Sequence, residues 1–93
     1  MRILTSIPHP RLKITVFKMN ERLSVKFESG LYEQTYKFRP GSGADSLEEL
    51  RGLIDETFLQ EVEQGLAAMH RRSMAALARH ASPADGEEFE EII

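Results

Sequence analysis

Between residues 12 and 38, apolar and polar residues alternate with a period of two. This period is typical of strands that bury one face, because successive side chains point to opposite sides of a sheet. Two turn-forming pairs, Asn20-Glu21 and Ser29-Gly30, divide the segment into three runs. Residues 3–7 are a weaker candidate for an edge strand. The pattern predicts a three-stranded antiparallel β-meander with strands at about 11–19, 22–28 and 31–39.

The charges support the register that these two loops predict. The first loop places Lys13 opposite Glu28, and the second places Lys26 opposite Glu33. Opposite charges then face each other on one side of the sheet while the apolar residues share the other side, which stabilises cross-strand pairs. Gln34 is the polar exception on the apolar side. We expect it to lie at the sheet rim or to bond a backbone group of a covering helix.

A helical pattern follows a Pro-Gly-Ser-Gly loop at 40–43. Ser46 and Glu49 have the spacing of a capping box, and apolar residues then recur every three or four positions as far as Leu77. The predicted class is therefore α+β, with the meander packed against a long C-terminal helical region at about 46–80.

The predicted helical region is too long for the predicted sheet. A helix from residue 47 to residue 80 has 34 residues and a length of about 51 Å, whereas strands of about eight residues span about 27 Å. Two alternatives follow. Either the helix breaks near 52–56, where Asp55 is a suitable cap for a second helix, or its second half packs on a partner.

The net charge of −3 is the sum of blocks with opposite signs. Residues 1–40 carry +5, residues 41–69 carry −6, residues 70–82 carry +3 and residues 83–93 carry −5. We expect residues 1–82 to form a single domain and residues 83–93 to be a mobile acidic tail. The alternative is that the tail docks as a peptide on a basic surface of its own chain or of a partner.

The composition argues against several functional classes. The chain has no cysteine for disulfides or thiolate metal sites, and no apolar run is long enough to span a bilayer. We therefore expect a cytoplasmic protein with no membrane contact. His9, His70 and His80 lack the spacing of a metal site, and most carboxylates of the helical region fall on its polar side. No catalytic, metal, cofactor or small-molecule site is predicted, and we expect the protein not to be an enzyme.

The leading functional hypothesis is a small interaction or assembly protein that binds a protein partner or forms a homodimer through the second half of the helix. Apolar residues of this half lie past the reach of the predicted sheet, and the alanines around them permit close helix packing. The candidate self-association residues are Leu66, Met69, Ser73, Met74 and Leu77.

The alternative hypothesis is a nucleic-acid-binding module that uses the exposed face of the sheet. Basic residues around an exposed aromatic ring are typical of sheets that bind nucleic acids. The order β-β-β-α also resembles that of DNA-binding domains in which a three-stranded sheet lies against one helix, a resemblance that implies a fold but no function. The candidate nucleic-acid residues are Lys13, Phe17, Lys26, Lys37 and Arg39.

Overall fold

A computed structural model of the chain describes residues 1–81, and the predicted acidic tail at 83–93 lies outside this range. The elements are β1 Arg2–Ile7, β2 Lys13–Met19, β3 Arg22–Ser29, β4 Tyr32–Lys37, α1 Leu47–Leu53 and α2 Glu56–His80. The strands form one antiparallel sheet in the order β1-β2-β3-β4. Buried residues of both helices join the core on one face of the sheet, which we call the inner face. The predicted α+β class is confirmed.

The predicted meander is one strand short, because the weaker candidate at residues 3–7 forms β1, a fourth strand at the edge of the sheet. β1 pairs with β2, and its register shifts between Ile3 and Thr5. Leu4, at this bulge, packs against the core. A bulge interrupts the regular alternation of faces, so residues 3–7 do not show a clear period of two.

The β2–β3 hairpin has the predicted loop and the predicted register. Lys13 pairs with Glu28 across the two strands. Asn20 and Glu21 have positive φ angles of 55° and 63°, as a type I′ turn requires at its two central positions. This turn matches the twist of the flanking strands, so the local loop sequence sets the hairpin.

The predicted register of the β3–β4 hairpin is wrong by two residues. The loop consists of Gly30 and Leu31, and Gln34 consequently lies opposite Phe27. Gly30 has φ 61° and takes the first loop position, where glycine adopts a positive φ without strain. A shift of two residues leaves every side chain on its predicted face, so the apolar pattern is the same in both registers.

The observed register replaces the predicted pair of Lys26 with Glu33. Glu28 now lies opposite Glu33. The like charges are offset by Lys13, which pairs with Glu28 from β2, and by Lys26, whose Nζ lies 3.8 Å from Glu28 Oε1. Exposed charge pairs contribute no more than about 1 kcal/mol each, so the glycine turn outweighs them in setting the register.

The helical region is broken, as one of the two alternatives predicts. Oγ of Ser46 caps α1 by accepting a hydrogen bond from the Glu49 amide at 3.1 Å. The Glu49 carboxylate accepts from the Asp45 amide, one residue before the cap, so the second capping-box bond is displaced. Oδ1 of Asp55 then caps α2 by accepting from the Phe58 amide at 2.9 Å.

The core lies between the inner face and the two helices. The ring of Phe27 packs against the rings of Tyr36 and Phe58, with centroid distances of 5.8 and 5.7 Å. Burial of each large apolar side chain stabilises the fold by about 1.5–3 kcal/mol, so this cluster holds α2 on the sheet. Its buried members are Leu12, Ile14, Val16, Leu23, Val25, Phe27, Ala44, Leu50, Ile54, Val62 and Leu66.

α2 lies against β4 at Gly65, next to the side chain of Gln34. Nε2 of Gln34 donates to the Val62 carbonyl oxygen at 3.1 Å, and the Tyr36 hydroxyl donates to Oε1 of Gln34. Of the two alternatives predicted for Gln34, the structure shows the bond to the backbone of the covering helix. A Cβ at Gly65 would lie 2.5 Å from Gln34 Nε2, so glycine is needed to leave room for this amide.

Alanine substitutions at Gly65 and Gly52 test this close approach. Gly52 in α1 is the matched control, because a Cβ there has no atom within 4 Å. Alanine favours a helix over glycine by up to about 1 kcal/mol, so Gly52→Ala should leave the free energy of unfolding unchanged or raise it. Gly65→Ala should lower it by about 1–2 kcal/mol relative to this control, because displacement of the Gln34 amide loses hydrogen bonds.

Denaturant unfolding in a Gln34→Ala background supplies the second half of this test. Without the amide, Gly65→Ala should stabilise the chain as Gly52→Ala does. Equal effects of the two glycine substitutions in the wild-type chain would contradict the proposed role of Gly65.

Candidate functional site

The second half of α2 extends beyond the sheet. The buried residues of α2 are Val62 and Leu66, and Met69 packs at the border of the core. The helix continues for about 16 Å from Met69 to His80. Every residue of this stretch is exposed or half-buried. This stretch includes most of the surface that the sequence predicts for self-association.

We call the face of α2 formed by Ser73, Met74 and Leu77 the distal surface. These three residues lie within about 100° of one another around the helix axis. Met74 is 45% exposed and Leu77 is 59% exposed, whereas Ser73 is half-buried. Exposed apolar side chains on a helix that extends past the sheet are typical of interaction surfaces.

Positive charge lies on the side of α2 away from the distal surface. Helical geometry places Arg71, Arg72 and Arg79 there, within about 100° of one another around the helix axis. The segment from 64 to 81 contains no aspartate or glutamate. The second half of α2 therefore has an apolar side, which includes the distal surface, and a basic side.

Two of the predicted self-association residues belong to the protein's own core instead. Leu66 is only 6% exposed, and Met69 packs against the buried cluster. The sheet covers about two more helical turns of α2 than the prediction assumes. Ser73, Met74 and Leu77 remain at the surface.

An open apolar groove adjoins the distal surface. It has a volume of about 480 Å³ and lies between the tip of the β3–β4 hairpin and α2. Leu31, 95% exposed, forms part of its wall, and the ring of His70 meets the edge of the Tyr32 ring at a centroid distance of 5.7 Å. We call it the hairpin groove. His70 is one helical turn before Ser73 and Met74, so the groove and the distal surface are neighbours on α2.

A charged clamp at the rim of the hairpin groove ties the loop after β1 to α2. Nε and Nη2 of Arg11 donate to the two carboxylate oxygens of Glu63 at 3.0 Å each. Nδ1 of His9 accepts from the backbone amides of Arg11 and Leu12 at 3.1 Å, and its Nε2 lies 3.5 Å from Glu63 Oε2. The two charged residues at the rim are bonded to each other, so the clamp serves to hold the loop in place.

The clamp shifts the proton affinity of both charged partners. The hydrogen bond from Arg11 lowers the pKa of Glu63, partial burial opposes this effect, and attraction to Arg11 and His9 reinforces it. The same hydrogen bond and the same attraction raise the pKa of Arg11. Both groups therefore stay charged in the folded chain at neutral pH.

The outer face of the sheet carries the predicted nucleic-acid residues, but its aromatic ring is buried. Phe17 is only 7% exposed, between the cross-strand neighbours Ile3 and Ser24. The expectation of an exposed ring is therefore wrong, because side chains of a closely paired sheet cover one another even without a second layer. A ring in this position cannot stack on a base.

The basic residues of the outer face differ in their surroundings. Lys13 and Lys37 are exposed, and Arg39 is exposed just beyond the end of β4. Lys26 is half-buried, with its ammonium group near Glu28. The face is therefore basic at its margins and mixed at its centre.

Within residues 1–81, no group of three or more histidine or acidic side chains is arranged to hold a metal ion. In the same part of the chain, no helix has both the length and the apolar character needed to cross a membrane.

The hairpin groove and its clamp were not predicted. Arg11 and Glu63 are 52 positions apart, and no local pattern connects them. The one available signal was Leu31, an apolar residue directly after a turn glycine, whose exposure depends on the register of the β3–β4 hairpin.

Comparison with known proteins finds no matching family model, no matching curated protein and no matching solved structure.

Substitution of Glu63 by glutamine tests the clamp through its pH dependence. Because the folded chain lowers the pKa of Glu63, the stabilisation from its carboxylate is fully present above the ordinary value of 4.5 and is lost as the pH falls through the lowered value. Glu63→Gln should therefore lower the melting temperature at neutral pH, and the difference from wild type should shrink in acid.

Glu61→Gln is the matched control, since Glu61 is exposed on the same helix. Thermal unfolding followed by circular dichroism at several pH values measures both variants. If Glu63→Gln lowers the melting temperature by the same amount in acid as at neutral pH, the charge of the Glu63 carboxylate is not the cause of the stabilisation.

Proposed function

We propose that this protein is a small non-enzymatic interaction module, located in the cytoplasm, that self-associates through the distal surface of α2. The observation that carries the proposal is the exposure of Met74 and Leu77 on a helix that continues past its own core. A second copy of the chain is the occupant that we propose for this surface.

Apolar burial supplies the attraction in this proposal. Full burial of a methionine or leucine side chain stabilises a contact by about 1.5–3 kcal/mol, and a symmetric pair buries each residue twice. Ala76 and Ala78 lie on the two sides of the distal surface, and their small side chains permit close approach of two helix backbones. The hairpin groove beside the distal surface can receive side chains from the second copy.

Electrostatics limits the strength of the proposed contact. The second half of α2 carries Arg71, Arg72 and Arg79 and no acidic residue, so the two copies bring like charge toward each other, which disfavours association. Salt screens charges at exposed sites, so association should strengthen when the ionic strength rises. The proposal is therefore a weak dimer that depends on apolar contact.

Analytical ultracentrifugation of wild type and Leu77→Glu from micromolar to millimolar concentration tests the proposal. The weight-average mass of the wild type should rise above the monomer value of 10.6 kDa, and that of Leu77→Glu should remain there. Leu53→Glu is the matched control, because Leu53 is 42% exposed on α1, away from the distal surface. The proposed interface would be overturned if Leu77→Glu associates as strongly as the wild type and as the control Leu53→Glu.

Nucleic-acid binding by the outer face is the alternative proposal. The exposure of Lys13, Lys37 and Arg39 favours it, and the buried ring of Phe17 counts against it. Without base stacking, such binding would depend on phosphate contacts and would weaken steeply with salt.

Fluorescence titration with single-stranded and duplex oligonucleotides at low and physiological salt tests this alternative. A Lys13→Glu, Lys37→Glu double variant should then lose affinity at least tenfold at low salt, as expected when phosphate contacts are removed. The Arg51→Glu, Arg72→Glu double variant makes the same charge change on the helices, away from the outer face, and should lose less. Absence of binding by the wild type at low salt would end the alternative.

A further inference from the structure

Exposed apolar residues gather at one end of the outer face of the sheet. Of the seven large apolar residues that are exposed in residues 1–81, three lie where β1 starts and β2 ends. They are Met1, Ile3 and Met19. Ile3 pairs with Phe17, and continuing this register places Met1 opposite Met19. The three side chains therefore form one apolar patch over two neighbouring strands.

Basic residues continue this patch onto β3 and β4. Arg22 pairs with Met19 across β2 and β3. Lys37 pairs with Ser24, and Arg39 follows two residues later, beyond the end of β4. All three basic side chains are exposed, and in residues 1–81 none of them forms an ion pair. We call the combined surface the outer corner, and it consists of Met1, Ile3, Met19, Arg22, Lys37 and Arg39.

The outer corner has an apolar half beside a basic half. Neighbouring strands lie about 4.8 Å apart, so the whole surface is about 14 Å wide from β1 to β4. Phe17 is buried at this end of the sheet, so the exposed apolar side chains are aliphatic or thioether chains. Such side chains offer no ring on which a nucleotide base could stack, but they insert readily at the boundary between lipid headgroups and acyl chains.

The distribution of charge favours an anionic surface as the occupant of the outer corner. Glu21, in the adjoining turn, has its carboxylate 3.9 Å from Lys18 Nζ, which offsets its charge. Glu28 and Glu33 are four residues along their strands from the row of Ser24 and Lys37, a distance of about 13 Å.

That distance exceeds the screening length of about 8 Å at physiological salt, so the two carboxylates weaken the field of the outer corner little. The charges of the chain are also separated by layer. Residues 1–40 carry +5, whereas residues 41–69, which contain α1 and the first half of α2, carry −6. This separation turns the outer face of the sheet toward a negative surface.

We propose that the outer corner binds the surface of an anionic phospholipid bilayer. Its three apolar side chains enter the boundary between headgroups and acyl chains, and its three basic side chains contact the lipid phosphates. Binding at a bilayer surface needs no membrane-spanning helix. The proposal therefore replaces the expectation of no membrane contact, because that expectation considers only segments that cross a bilayer.

This inference goes beyond the proposed function and does not depend on it. The outer corner and the helices lie on opposite faces of the sheet. The distal surface can therefore be occupied while the outer corner is bound, and the failure of either proposal leaves the other intact.

Co-sedimentation of the full chain with lipid vesicles tests the proposal. At low salt the chain should bind vesicles made of equal parts of phosphatidylcholine and phosphatidylserine at least tenfold more strongly than vesicles of phosphatidylcholine alone. Added salt should weaken this binding, because it screens the attraction between the basic side chains and the lipid phosphates. Equal binding to the two kinds of vesicle, or no binding to the anionic vesicles, would overturn the proposal.

Charge reversal tests the basic half of the outer corner. A basic residue near an anionic surface strengthens binding by about fivefold, so Arg22→Glu with Lys37→Glu should lower the partition coefficient at least about 25-fold. The Arg51→Glu, Arg72→Glu double variant makes the same charge change on the helices and should lose less. Equal losses in the two double variants would show that net charge and not the outer corner drives binding.

Polar substitutions test the apolar half. Ile3→Ser with Met19→Ser should lower the partition coefficient for anionic vesicles at least tenfold, because two apolar side chains no longer enter the bilayer. Both residues are exposed, so the core is spared. Leu31→Ser with Leu53→Ser removes two exposed apolar residues elsewhere and should bind as the wild type does. Wild-type affinity of the Ile3→Ser, Met19→Ser variant would leave only phosphate attraction, as for a nucleic acid, and would overturn the proposed insertion.

A fluorescent label reports which end of the sheet meets the bilayer. The chain has no cysteine, so Ile3→Cys and Leu31→Cys each provide a single site for a dye whose emission depends on the polarity of its surroundings. With anionic vesicles, the emission of the dye at residue 3 should shift to shorter wavelength. The dye at residue 31, in the loop at the opposite end of the sheet, should keep its emission in water. The proposal fails if the shift at residue 31 equals or exceeds the shift at residue 3.

Discussion

The apolar inner face of the sheet is the constraint on which the rest of the structure depends. A sheet with one apolar face must be covered by a second layer, and here two capped helices supply it. The cap at Asp55 redirects the chain so that α2 begins over the core. Contact between Gly65 and Gln34 then sets how closely α2 lies on β4. α2 continues past this contact, so the core does not cover the distal surface.

Features that depend on neighbouring residues could be predicted from the sequence. The β2–β3 hairpin follows from the turn at Asn20 and Glu21, where both residues adopt the left-handed conformation. Both helix starts follow from capping side chains, Ser46 and Asp55, that bond amides three residues later. The break between the helices is one of the two alternatives that the mismatch of helix length and strand length left open. The bond from Gln34 to the helix backbone follows from the need to satisfy a polar group on an apolar face.

Features that depend on distant residues or on an exact offset could not be predicted. The bulge at Leu4 removes the periodicity that would have marked β1. The β3–β4 register is ambiguous by two residues, because both registers keep the same faces. The candidate site was predicted in part. Periodicity gives the face of a helix but not the turn at which the sheet stops covering it, so Leu66 was placed at the surface although it belongs to the core.

The bulge in β1 also bears on the edges of the sheet. A free edge strand offers backbone amides and carbonyls to any other strand, which is the route to fibrils. In β1 the bulge makes the free row of backbone amides and carbonyls irregular. Pro8 and Pro10, in the loop after β1, have no amide hydrogen to donate. At the opposite edge, β4 is only six residues long and exposes Glu33 and Lys37. Both edges therefore resist strand addition, and the chain can carry an exposed apolar helix face without also offering its sheet as a template for aggregation.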